Sequence, residues 1–127
     1  RSRTAGRAPD GLAQFTDAVY LHQTRVRTEA GIRKFADLPA ALADPALTGE
    51  WRVHYHVPLT WEGDGQLVST RDQIDVPFLR QALACGVRHF EVETYTLPLF
   101  NTDGRAECEV LADELLTVQR LLHAAAE

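Results

Sequence analysis

Methionine is absent from all 127 residues of the chain, including position 1. We therefore expect either a processed chain or a piece of a longer protein. Long apolar runs are also absent, since none approaches the roughly 18 residues that a membrane-spanning helix needs. No signal-peptide pattern opens the sequence. These absences predict a cytoplasmic protein with no segment inserted in a membrane.

Cysteine and basic charge are both scarce. The two cysteines, Cys85 and Cys108, form no CxxC pattern, which favours a reduced protein without a disulfide. The net charge of −5 argues against nucleic acid as the main partner, because phosphate binding favours a basic surface. The GxSxG, GxGxxG, HExxH and Walker patterns do not occur either. No hydrolase, dinucleotide, metalloprotease or nucleotide assignment can therefore rest on these motifs.

Hydrophobic periodicity and capping residues predict three strands that alternate with three helices. The strands are expected at residues 19–23, 51–57 and 89–95. The helices are expected at 37–44, from Asp75 to just before Gly86, and at 106–123. The last helix carries an apolar stripe of Val110, Leu111, Leu115, Val118, Leu121 and Leu122. Residues 1–9 are expected to be a flexible tail, and Asp10 to begin a short helical turn through Phe15. Alternating strands and helices favour a parallel sheet.

The lengths of the loops indicate which α/β architecture these strands and helices form. The connections that leave the strands are long, at about residues 24–36, 58–74 and 96–105, whereas those that enter the strands are short. Long loops at the carboxyl ends of parallel strands are where α/β proteins place their sites. Three strands cannot close a barrel, which takes eight βα units and about 250 residues. We therefore predict that residues 10–127 form the C-terminal three or so βα units of an α/β TIM barrel.

Two predicted strands alternate apolar and ionisable side chains. His54 and His56 fall on one face of the strand 51–57, and Glu91 and Glu93 fall on one face of the strand 89–95. On neighbouring strands these side chains could share a divalent metal, or form an acid/base site. The alternative is a solvated strand face, or a ladder of opposite charges between the strands.

Four other residues are candidate substrate contacts. His22 holds the same alternating position on the first predicted strand, and Trp61 lies in a glycine-rich loop where it could stack on a sugar or an aromatic ring. Arg25 is one of several basic residues in one short stretch that could hold a phosphate or carboxylate. Tyr95 could donate a hydrogen bond in the site. The alternatives are loop packing for Trp61, a solvated basic loop for Arg25, and core packing for Tyr95.

Several strings together resemble the C-terminal part of the EboE-type metabolite traffic proteins, which look like members of the xylose-isomerase-like TIM-barrel superfamily. The resemblance covers roughly residues 17–122 and rests on VYLHQ at 19–23, FADLP at 35–39, WRVHYHVP at 51–58 and FEVETYT at 90–96. It implies a divalent metal, such as Mn, Zn, Mg or Fe, with His56 and Glu93 among its ligands. The strand 19–23 offers no aspartate to match the family's aspartate ligand.

The leading hypothesis is therefore a metal-dependent, sugar isomerase- or epimerase-like protein that acts on a small polar metabolite. Glu93, Glu91 and His54 are the expected catalytic residues, because carboxylates and imidazoles orient substrates and move protons. The expected partners are the metabolite, the remainder of the barrel and, by the resemblance, other proteins of a metabolite-export cluster. A non-catalytic metabolite-binding protein and a small α/β interaction module are the alternatives.

Overall fold

The computed structural model describes residues 6–9, 11–94, 96–97 and 104–127. It divides the chain into two units. Unit 1 is made of residues 1–55 and 63–69, and unit 2 of residues 56–62 and 70–127. The described part contains both helices and strands, and none of its helices is long and apolar enough to cross a membrane.

Unit 1 is built on a three-stranded antiparallel sheet. The central strand β1 (Thr24–Thr28) pairs with β2 (Gly31–Phe35) on one side and with β3 (Glu50–Val53) on the other. Val26 faces Arg33 and Trp51 in this register. Side chains alternate across a strand, so Thr24 and Val26 are buried while Arg25 and Arg27 are exposed.

The core of unit 1 forms on the buried face of this sheet. The helix α1 (Leu38–Leu42) begins where the Asp37 carboxylate accepts the Leu38 N–H at 2.8 Å, which satisfies a backbone donor that the helix leaves unpaired. A 3₁₀ turn (Leu12–Phe15) and a short hairpin of β4 (Gly63–Asp64) and β5 (Leu67–Val68) complete the unit. Its buried apolar side chains include Leu12, Phe15, Val26, Leu38, Ala41, Leu47, Trp51 and Leu67.

Unit 2 contains two helices that pack on each other, α2 (Val76–Ala84) and α3 (Glu107–Ala126). The helix α2 follows a 3₁₀ turn (Arg71–Gln73) and begins where Asp75 accepts the Phe78 N–H at 2.8 Å. Arg80 of α2 donates to the carbonyl oxygens of Ala124 and Ala125. These carbonyls lie in the last turn of α3, where helical backbone acceptors have no partner within the helix.

The three helices lie where the sequence predicts them, whereas of the three predicted strands only 51–57 overlaps an observed strand, β3. Residues 18–20 form a bend within the predicted strand 19–23, because the Asp17 carboxylate accepts the N–H groups of Val19 and Tyr20. The strands β1 and β2 lie within residues 24–35, where the sequence predicts a connection instead. The strand predicted at 51–57 ends at Val53, and residues 89–94 lie outside any strand.

All strand pairs in the described part of the chain are antiparallel. Helix α1 connects β2 to β3, but these strands are the two outer members of the sheet and do not pair with each other. The parallel TIM-barrel arrangement therefore stays a prediction. Within the expected tail, Gly6 exchanges both backbone hydrogen bonds with Gly49, and Pro9 is buried. Asp10 lies outside the described residues.

Candidate functional site

His56 and Glu93 form the central contact of the candidate site. His56 Nδ1 lies 3.1 Å from Glu93 Oε2, and the side chains are 29% and 42% exposed. Both residues belong to unit 2 and lie in irregular segments. A half-exposed imidazole beside a carboxylate can exchange protons with a bound molecule while the carboxylate stabilises its charged form.

A second contact joins the two segments that carry this pair. The Thr96 hydroxyl donates to the carbonyl oxygen of His56 at 2.9 Å. The segment that follows Glu93 is therefore fixed to the backbone at His56 as well as to its side chain. The pair has a defined geometry even though neither residue lies in a strand.

Glu114 provides a third contact from the helix α3. Its side chain is fully buried, with 0% exposure. One oxygen, Oε1, accepts the backbone N–H of Leu59, and the Thr94 hydroxyl lies 3.1 Å from Oε1 and 2.9 Å from Oε2. A buried carboxylate is costly unless hydrogen bonds replace its lost water. These two donors supply that replacement.

Glu114 is not among the residues predicted for the site, although its spacing in the sequence carries a sign of burial. Val110, Glu114 and Val118 follow one another at intervals of four residues, which places them on one face of a helix. Val110 and Glu114 are buried, whereas Leu115 of the predicted apolar stripe is 58% exposed. A glutamate at helical spacing between two valines indicates a carboxylate on the apolar face of the helix.

The second histidine–glutamate pair in unit 2 is exposed. His89 Nε2 lies 2.7 Å from Glu91 Oε1, with side-chain exposures of 82% and 61%. Both partners come from one short segment, so this pair joins no distant parts of the chain. Glu91 is thus bound to His89 rather than to the His56–Glu93 pair. Its catalytic role stays a prediction.

Three of the predicted site residues lie in unit 1. His54 is exposed; its N–H donates to the Gln23 carbonyl, and its Nδ1 lies 3.0 Å from Gln23 Oε1. His22 is buried, and its backbone N–H donates to Asp37 Oδ1 at 2.8 Å. Arg25 donates to the carbonyl oxygens of Thr24 and Phe35. The guanidinium of Arg25 therefore stabilises the sheet.

Tyr55 lies beside His22 in unit 1. The two rings have centroids 4.8 Å apart, and the ring of Phe15 lies 5.0 Å from Tyr55 on centroids. Burial, and to a smaller degree the Asp37 carboxylate, raise the pKa of the Tyr55 phenol. The phenol therefore keeps its proton at neutral pH. Tyr55 is thus a partly buried residue with a protonated hydroxyl.

Trp61 lies in a loop of unit 2 that backbone and side-chain contacts hold in place. The backbone N–H of Trp61 donates to the Pro58 carbonyl at 2.9 Å. Arg71 donates to Leu59 O and Thr60 O and forms an ion pair with Glu62. Trp61 is partly exposed, so its ring remains a candidate stacking surface. Tyr95 lies outside the described residues.

The described residues supply part of the ligand set of a metal. An imidazole nitrogen and a carboxylate oxygen suit zinc, manganese or iron, and His56 and Glu93 bring one of each together. Catalytic zinc sites use three protein ligands, yet within the described ranges no three histidine, cysteine, aspartate or glutamate residues are placed to hold an ion. These residues do not by themselves form a metal centre.

Comparisons with protein-family models, with curated proteins and with solved structures find no match. The candidate site therefore rests on the geometry of His56, Glu93 and their neighbours.

Proposed function

We propose that the His56–Glu93 pair is the acid/base centre of a site for a small polar metabolite, with sugar isomerase- or epimerase-like chemistry. This function is the one that the resemblance to the EboE-type metabolite traffic proteins implies, together with a TIM-barrel architecture. The observation that carries it is the 3.1 Å contact between His56 Nδ1 and Glu93 Oε2. Sequence alternation and the resemblance single out the same two residues.

The chemistry follows from the ring nitrogen that makes the contact. A neutral histidine that donates from Nδ1 carries its lone pair on Nε2. That nitrogen can accept a proton from a hydroxyl, or from a carbon next to a carbonyl, and Glu93 then stabilises the imidazolium. Return of that proton to the neighbouring carbon, with transfer of the hydroxyl proton to the former carbonyl oxygen, completes an isomerisation. Return to the opposite face of the same carbon completes an epimerisation. His56 is the base and acid in this scheme, and Glu93 orients it.

A divalent metal would bind through the same two side chains, as the resemblance implies. Such an ion would polarise a carbonyl or hydroxyl of the metabolite. The described residues offer one nitrogen and one oxygen ligand, so further ligands would have to complete the site. The acid/base scheme above depends only on the chain's own residues.

Binding of sugars by the purified chain tests the proposal. The probes are D-xylose and D-glucose 6-phosphate, followed by saturation-transfer NMR. We expect binding by the wild type and by His89→Ala, and its loss in His56→Ala and Glu93→Ala. His89→Ala is the matched control, because it removes an exposed histidine that also contacts a glutamate. Absence of binding in the wild type, or equal binding by all four proteins, would contradict the proposal.

The second candidate function is metabolite binding without catalysis. Trp61 supports it, because this residue is partly exposed and its ring could stack on a sugar without taking part in acid/base chemistry. Incubation with D-xylose in D₂O separates the two functions, because proton abstraction from carbon exchanges hydrogen for deuterium. Exchange that His56→Ala abolishes supports catalysis. Binding that persists in chelator with no exchange supports the binding function.

A further inference from the structure

Glu114 contacts the neighbours of both residues of the proposed site. Leu59, whose N–H it accepts, lies three residues after His56, and Thr94 directly follows Glu93. One buried carboxylate on α3 therefore binds the two chain segments that carry the pair. No cationic side chain in the described residues pairs with Glu114. The hydrogen bonds that the Glu114 carboxylate accepts from described residues therefore come from these two segments.

Side-chain contacts join the two segments. Residues 56–59 and 89–94 lie outside the strands, so no ladder of strand hydrogen bonds sets their spacing. The contacts that join them include the Thr96–His56 hydrogen bond, the His56–Glu93 contact and the bonds to Glu114. Hydrogen bonds to a charged acceptor are among the stronger polar contacts, and burial strengthens them further.

We propose that Glu114 is a positioning residue that sets the distance between His56 and Glu93. It acts through the Leu59 N–H and the Thr94 hydroxyl, and it does not touch the metabolite. The inference rests on the proposed function for its role in the site. A separate test, which does not depend on the proposed function, asks whether Glu114 holds the His56–Glu93 contact.

The test measures the ring ¹⁵N shifts of His56 in histidine-labelled protein, under alkaline conditions where histidine is neutral. A proton held on Nδ1 by Glu93 gives a pattern distinct from a proton on Nε2. We expect Glu114→Leu and Thr94→Val to shift the His56 pattern toward that of Glu93→Ala. Glu114→Gln should preserve it, because its amide oxygen accepts from Leu59 and its amide nitrogen donates to the Thr94 oxygen.

Val110→Ala is the control for a loss of packing alone. Val110 is buried on the same face of α3, one turn before Glu114. We expect this variant to lower the melting temperature and to leave the His56 pattern unchanged. Thr94→Val keeps the shape of the side chain and removes the hydroxyl, so it serves if Glu114→Leu does not fold. An unchanged His56 pattern in Thr94→Val would overturn the inference, as would an equal change in Val110→Ala.

Sugar binding by the same variants separates this inference from the proposed function. With both correct, Thr94→Val weakens D-xylose binding by about tenfold or more, because small misplacements of reacting groups are costly, and Glu114→Gln retains it. If the wild type binds no sugar while the His56 pattern still responds to Thr94→Val, the positioning role stands and the proposed function fails. If the wild type binds sugar and the His56 pattern ignores Thr94→Val, the positioning role fails alone.

Discussion

His56 meets Glu93 through Nδ1, at 3.1 Å. The other histidine–glutamate pair of unit 2 uses the opposite ring nitrogen, since His89 meets Glu91 through Nε2 at 2.7 Å. In a neutral imidazole only one nitrogen carries a proton, and a carboxylate contact places the proton on the nitrogen it touches. The two rings therefore present opposite nitrogens as acceptors.

The first prediction is that neutral His56 and neutral His89 are opposite tautomers. We expect the proton of His56 on Nδ1 and that of His89 on Nε2, read from ring ¹⁵N shifts in alkaline solution. Glu93→Ala should change the pattern of His56 alone, and Glu91→Ala that of His89 alone. Identical patterns for both rings in the wild type would contradict the contacts described above.

The second prediction concerns Asp44 and Arg33, which form an ion pair of 2.7 Å in unit 1. The hydrogen bond from the Arg33 guanidinium lowers the pKa of Asp44 below its ordinary value of 3.8. Because the folded pKa lies below the unfolded one, the pair stabilises the protein above the unfolded pKa and stops doing so as pH falls through the folded pKa. Arg33→Ala should raise the pKa of Asp44 in an NMR titration of its side-chain carbonyl.

Asp17 is the matched control for that titration. The pKa of its carboxyl is also lowered, first by the Val19 N–H and then by the Tyr20 N–H. These donors belong to the backbone, so Arg33→Ala should leave the pKa of Asp17 in place. Equal movement of both aspartates would mean that the substitution acts through the unit as a whole rather than through the ion pair.

Helices were predictable from the sequence because their ends carry local chemistry. Asp37 and Asp75 each accept a backbone N–H at the start of a helix, and a proline stands in the first turn of both. Such features act within four residues, so no knowledge of the rest of the fold is needed. The predicted starts at these two aspartates are confirmed.

Strands were less predictable because their pairing is decided by distant residues. The alternation of Thr24, Arg25, Val26 and Arg27 was present, but arginines on one face resembled a solvated loop. Trp51 of β3, 25 residues along the chain, lies opposite Val26 in the sheet, and both residues are buried. Burial against a distant partner overrides local polarity.

The candidate site was predictable only in part, because some of its contacts join residues that are far apart in the sequence. His56 and Glu93 stood out because their side chains alternate with apolar neighbours, and the structure brings them together. Glu114 belongs to a helix, and its role depends on Leu59 and Thr94, which are 55 and 20 residues away in sequence. Sequence spacing on α3 indicated its burial, whereas its partners follow from the tertiary fold.

The third prediction is a large loss of stability in Trp51→Ala. The indole is 1% exposed and its Nε1–H donates to the Gly6 carbonyl at 3.2 Å. Removing a buried tryptophan costs about 3–5 kcal/mol through lost burial and the cavity left behind. Urea denaturation followed by circular dichroism measures this loss. Arg52→Ala, the exposed neighbour in β3, should cost less than about 1 kcal/mol, and a similar loss in both variants would contradict the assigned core.

The fourth prediction is that Gly49 cannot be replaced by alanine without loss of stability. Its φ of +155° lies where side chains are disfavoured, and a Cβ there would lie 2.2 Å from the Arg27 carbonyl oxygen. The Arg27 carbonyl belongs to β1, which the sheet holds in place, so the strand would have to move to make room for the Cβ. We expect Gly49→Ala to lower the free energy of unfolding by about 2 kcal/mol or more.

Gly6 is the matched control for Gly49, because the two glycines exchange backbone hydrogen bonds with each other. A Cβ on Gly6 would meet no atom within 4 Å, and the φ angle of Gly6 is not positive. Alanine at position 6 should therefore change the free energy of unfolding by less than about 0.5 kcal/mol, as ordinary surface substitutions do. The difference in the free energy of unfolding between the two variants, measured by urea denaturation, reports the close approach of residue 49 to β1. Equal stability of Gly49→Ala and Gly6→Ala would show that the backbone at residue 49 does not lie against Arg27.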